Sequence, residues 1–209
     1  ELHPHDALPE GADSHLFNKI TFARELSMDI ASIYYPFLIV MTVVAVVVFI
    51  SLFFVDAGYG KFQTKKWGPS IPNRLGWVLM ESPVFILMAI FFAISDRTSN
   101  IAIVAMFSLF MLHYFQRAFI FPFLIKGNKT MPLSIIAMGI LFNVLNALMQ
   151  AGWLFYVSEP DHYTTEWLTS PQFIIGTIVF LIGFVINVHS DHVIRTLRKP
   201  GDTSYHFPN

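Results

Sequence analysis

The chain has 209 residues, of which 55% are hydrophobic and only 13% charged, against roughly 25% charged in an ordinary soluble domain. Its uncharged runs exceed what a water-soluble core of this size can bury, which excludes a soluble globular fold and leaves the bilayer as their solvent. A net charge of -1 offers no footprint for nucleic acid, and the absence of cysteine excludes disulfides and thiol catalysis.

Residues 1–29 are acidic and carry no basic region followed by a short apolar core. They do not read as a signal peptide and are expected to form an extramembrane N-terminal segment. Five long apolar runs follow, at 30–55, 75–95 (interrupted by Glu81), 98–116, 130–158 and 167–190. At 1.5 Å of rise per residue each crosses about 30 Å of hydrocarbon. Only helices or closed barrels satisfy their backbone in lipid, and these runs are too long and evenly apolar for barrel strands. The expected fold is all-α: a polytopic transmembrane helix bundle of five spans. Between the first two runs, 58–73 reads as a turn-rich loop with Gly68-Pro69 and Pro72.

Ten of the 13 Lys and Arg residues fall in segments that share one side of the membrane, while ten of the 14 acids fall on the other. The positive-inside rule then places the N-terminus outside and the C-terminus in the cytoplasm.

Several polar residues interrupt the apolar runs. Glu81 lies seven residues into the second, where an ionised carboxylate costs a few kcal/mol or more. Its protonated form donates a hydrogen bond, the behaviour of a functional acid, although snorkelling or structural pairing with a cation also satisfies such a group. Tyr114 and Arg117 are three apart and share a helix face, as catalytic groups or as interfacial decoration. Asn143, Asn146 and Gln150 form one polar stripe, for which interhelical hydrogen bonding is the simpler explanation. Asn187, Asp191, Arg195 and Arg198 line another face, running off the cytoplasmic end of the fifth span. Arginines beside an acid and an amide suit phosphates and hydroxyls, while a salt-bridged anchor helix needs the same residues. There is no GxGxxG or phosphate-binding loop, so a nucleotide would have to sit between membrane helices. The eight His residues show no convincing metal-ligand spacing.

Taken together, Gly58-Tyr59-Gly60-Lys61-Phe62, Glu81-Ser82-Pro83, His113-Tyr114-Phe115-Gln116-Arg117 and above all the run from Asn187-Val188-His189-Ser190-Asp191 through Arg198-Lys199-Pro200-Gly201 to Ser204-Tyr205 resemble the steroid 5-alpha-reductase family. The resemblance implies NADPH-dependent reduction of the double bond conjugated to a ring ketone. It assigns Glu81 and Tyr114 to the ketone oxygen, and Arg117, Asn187, Asp191, Arg198 and Tyr205 to NADPH. Arg195, on the same face, is grouped with the cofactor residues. The resemblance also implies a seven-span complete fold, with residues 30–209 belonging to a transmembrane reductase domain, and a steroid or other apolar enone drawn from membrane lipid. Met80 and His206 stand where many animal members have glutamine and arginine. The rival readings are a trans-2-enoyl-CoA reductase, more distantly a membrane methyltransferase using S-adenosylmethionine, and a transporter or lipid-binding protein in which Glu81 and Asp191 relay protons or hold a solute.

Overall fold

A computed structural model describes residues 10–55 and 67–197, with the side chains of the first helix from residue 29 onward. Its helices are α1 (Glu10–Ser51), α2 (Asn73–Ile94), α3 (Ile101–Phe115), α4 (Phe121–Leu124), α5 (Leu133–Ala151) and α6 (Pro171–Thr196). A π-helical turn, Gln116–Ile120, fuses α3 to α4, and a second, Gly152–Val157, extends α5. Five segments are long and apolar enough to cross a membrane: Asp29–Ser51, Asn73–Ile94, Ile101–Leu124, Leu133–Val157 and Pro171–Thr196. The chain is a polytopic helical membrane protein, as expected. The first helix begins well before its span, at Glu10. The third span runs past Arg117 to Leu124, because Arg117 is neutralised inside the protein.

Within the segment read as a loop, Ser70–Pro72 forms a short strand, β1, antiparallel to β2 (Thr130–Pro132), with Ile71 opposite Met131. Each strand ends in a proline that leads straight into a helix. The pairing is continued by Asn73 N–H to Lys129 O and Leu133 N–H to Pro69 O, both 2.9 Å. The N-termini of α2 and α5 are thereby fixed side by side. Eight residues into α2 and ten into α5, about 12 and 15 Å of rise, Glu81 and Asn143 reach similar depths.

The first π turn has a local cause, and α1 docks on the second. Pro122 cannot donate a helical hydrogen bond and crowds the carbonyl four residues back; Phe121 N–H instead reaches Gln116 O, five back. In the second turn Ser158 N–H bonds Trp153 O in the same five-residue pattern. There Tyr34 of α1 packs on Gly152 and donates its hydroxyl to Met149 O at 2.6 Å.

At the end of the bundle away from the β pair, Met88, Ala102, Ile103, Ala151, Leu154, Phe155 and Tyr163 form the core, with Phe92 stacked on Phe107 at 4.1 Å. Asn100 caps α3 by accepting from Ile103 N–H and donates to Tyr163 O. Arg97 donates to Leu154 O and to the hydroxyl and carbonyl of Ser158, tying the loop between α2 and α3 to the second π turn. Burial holds its guanidinium below the ordinary arginine range, against the opposing pull of Asp96, Glu159 and Tyr163. No residue of α6 is buried, so it is the span least covered by the described residues.

Candidate active site

The β pair delivers Glu81 and α5 to a common level, and the α2 to α3 packing brings Tyr114 alongside. Asn143, only 4% exposed, donates through Nδ2 to Met80 O at 2.7 Å and to Glu81 Oε2 at 3.2 Å. One turn further along α5, Asn146 Nδ2 donates to the Tyr114 hydroxyl at 2.7 Å. The phenol ring packs against Phe110 and His113, at 4.7 and 5.0 Å between centroids. An acid and a phenol thus share a half-buried neighbourhood at membrane depth, backed by amide donors.

Towards the β pair lies the second cluster. Arg117 Nη1 bonds Asp191 Oδ2 at 2.9 Å, joining α6 to the π turn after α3, with side chains 14% and 16% exposed. The guanidinium also sits over the Trp77 and Phe121 rings, 4.7 and 4.5 Å from their centroids. That arrangement makes an arginine tolerable within a span: its charge is paired, and its planar faces meet aromatic ones. Arg195 Nε donates to the Asp191 carbonyl at 3.0 Å. Among the described residues, Gln116 Oε1 and Asn187 Oδ1 are buried acceptors without a hydrogen-bond partner, a condition that native proteins seldom leave unfilled. Gln116 is next to Arg117 in sequence, and Asn187 lies one turn before Asp191.

Of the residues singled out from sequence, Glu81 and Tyr114 are each hydrogen-bonded by an asparagine on one face of α5, and Arg117 joins Asp191, with Asn187 one turn before it on α6. Arg195 hydrogen-bonds its own helix. Arg198 and Tyr205 lie outside the described residues, as does Gly58-Tyr59-Gly60-Lys61-Phe62. The stripe on α5 divides: Asn143 and Asn146 face the site, whereas Gln150 is exposed. Sequence reasoning had the two asparagines on the right face but not their partners, and it missed Trp77. The available signal for Trp77 was its position four before Glu81, which puts both on one face of α2.

Comparison with known proteins gives this site its context. Residues 129–209 match the family model described as 3-oxo-5-alpha-steroid 4-dehydrogenase. The chain is 36% identical over 170 residues to 3-oxo-5-alpha-steroid 4-dehydrogenase 1 of Bos taurus, covering 78% of this chain and 64% of that protein. To the Homo sapiens protein of the same name it is 37% identical over 152 residues, 72% of this chain and 58% of the relative. To steroid 5-alpha-reductase DET2 of Gossypium hirsutum it is 35% identical over 175 residues, 82% and 67% respectively. The chain therefore spans somewhat under two thirds of its mammalian relatives and about two thirds of the plant one. On these identities the chain belongs to the 3-oxo-5-alpha-steroid 4-dehydrogenase family.

Proposed function

We propose that this protein is an NADPH-dependent membrane reductase of the conjugated double bond of a 3-oxo-4-ene steroid, giving the 5-alpha-reduced steroid. The observation that carries the reading is that two asparagines three apart on α5 hydrogen-bond Glu81 and Tyr114 within the spans, an arrangement in which two O–H groups can serve one ketone oxygen. The names of the relatives support the substrate class.

The residues around Arg117 fit NADPH. Unpartnered buried acceptors at Asn187 and Gln116 suit hydroxyl and amide donors, and the Arg117 to Asp191 pair supplies further polar groups of both kinds. Asn187, Asp191, Arg117 and Arg195 would hold the cofactor, with Arg198 and Tyr205 assigned from sequence. When bound, NADPH supplies the hydride for the alkene carbon β to the ketone.

As that carbon gains its hydride, the alkene electrons move toward the carbonyl and negative charge grows on the ketone oxygen. Glu81 and Tyr114 donate hydrogen bonds to that oxygen, holding donors where the charge develops; a donor of this kind is worth about 10²–10³ in rate. A proton then joins the α carbon to complete the saturated ketone. The apolar surroundings exclude water, which strengthens both donors.

Residues 30–209 are assigned to the transmembrane reductase domain. The charge bias supports an N-terminus outside and a C-terminus in the cytoplasm, in a bacterial inner membrane or endoplasmic reticulum according to host. The experiment is NADPH oxidation by the full-length protein in membranes, with progesterone and, separately, a trans-2-enoyl-CoA. Steroid-dependent oxidation with a 5-alpha-reduced product is expected. Oxidation driven only by the thioester would transfer the assignment to an enoyl-CoA reductase, and none with either would point away from reductases altogether.

A further inference from the structure

A carboxylic acid and a phenol each offer lone pairs as well as one proton, and a ketone oxygen can use only the proton. We propose that Asn143 and Asn146 are positioning residues that set the hydrogen-bond polarity of Glu81 and Tyr114, turning both O–H protons toward the ketone oxygen of the enone. This rests on the reductase reading above.

The orientation of Asn143 is fixed by the backbone. Its Nδ2 donates to Met80 O at 2.7 Å, and a carbonyl can only accept. Reversing the amide would set Oδ1 against that carbonyl, acceptor against acceptor, at a site that is 4% exposed and offers no water to relieve it. The nitrogen therefore stays toward α2, and its second proton goes to Glu81 Oε2 at 3.2 Å. That oxygen is committed as an acceptor, so the proton of the neutral acid belongs on the other oxygen, free to donate. At Tyr114 the direction is read from the hydrogen bond itself, with no backbone carbonyl to fix it. The hydroxyl accepts from Asn146 Nδ2 at 2.7 Å and keeps its single proton for a third group.

Both amides lie three residues apart on one face of α5, and the β pair holds that helix in register with α2. Two donors from one rigid helix thus direct two acids from different helices. Interhelical bonding alone would need only that the bonds exist, whichever way they run.

The test is a double-mutant cycle on steroid reduction by the full-length protein in membranes, using Asn146→Leu with and without Tyr114→Phe. If Asn146 acts through the phenol, Asn146→Leu lowers kcat about tenfold when Tyr114 is intact and by less than about twofold when it is combined with Tyr114→Phe, with the NADPH KM unchanged. The infrared C=O stretch of bound steroid should move toward its free value in Asn146→Leu even without turnover. Equal losses in both backgrounds, with an unmoved stretch, would overturn the inference and leave the reductase reading standing. A wild-type protein with no steroid-dependent NADPH oxidation would reject the reading and the inference together. If Asn146→Leu does not accumulate in membranes, Asn143→Leu with and without Glu81→Leu, which leaves no donor or acceptor at 81, poses the same question with the same two outcomes.

Discussion

Glu81 on α2 and Tyr114 on α3 are held by amides from α5, and Arg117 is held by Asp191 and two aromatic faces. If the first pair serves the ketone oxygen, removing either donor should act on the chemical step. Glu81→Leu and Tyr114→Phe are each expected to lower kcat by about 10²–10³ while leaving membrane insertion and the NADPH KM nearly unchanged; unchanged turnover in both would remove the oxyanion role. Arg198→Ala is expected to do the reverse, raising the NADPH KM with little effect on kcat, as cofactor titrations can read directly. Glu81 was conspicuous in the sequence because an acid inside a span always needs a partner or a purpose. The roles of Asn143 and Asn146 were not legible in the same way. A periodic stripe identifies a face, but which helix that face meets depends on packing that periodicity does not encode.

The register of α2 against α5 originates in six residues, β1 and β2, with the hydrogen bonds that continue their pairing into the helix starts. Strands of three residues ending in proline are too short to show alternation, so this device was hidden within a segment that read as turns. The spans themselves were legible within a few residues, except where Arg117 appeared to end the third. Its neutralising partner lies 74 positions away on α6, beyond the reach of any local pattern. The second π turn is where α1 docks. A Cβ at Gly152 would stand 2.7 and 3.0 Å from the Tyr34 ring, whose hydroxyl is tied to Met149 O. Gly152→Ala should therefore cost about 1–3 kcal/mol by overpacking, and Tyr34→Phe about 0.5–1.5 kcal/mol by loss of one hydrogen bond. Denaturant titration in detergent would read both, and wild-type stability in Gly152→Ala would contradict this docking contact.

Across the whole molecule, the large apolar side chains of α1 and α6 remain exposed along much of their length, as lipid-facing helices require. The proposed orientation rests on charge placement, and these 209 residues hold no cysteine to interfere with its test. With single substitutions, Asp161→Cys should react with a membrane-impermeant maleimide in intact cells or sealed vesicles of native orientation, and Asn128→Cys only after permeabilisation; the opposite pattern would reverse the assigned topology.

The central claim is hydride reduction of an enone whose ketone is held by Glu81 and Tyr114. Its most direct test supplies the full-length protein in membranes with progesterone and NADPH deuterated at C4 on the transferable face, then locates the label in the product. Deuterium at C5 of a 5-alpha-reduced steroid, formed at least about a hundredfold more slowly after Glu81→Leu or Tyr114→Phe, is the predicted result. Unlabelled steroid recovered unchanged from membranes containing the folded protein would contradict it.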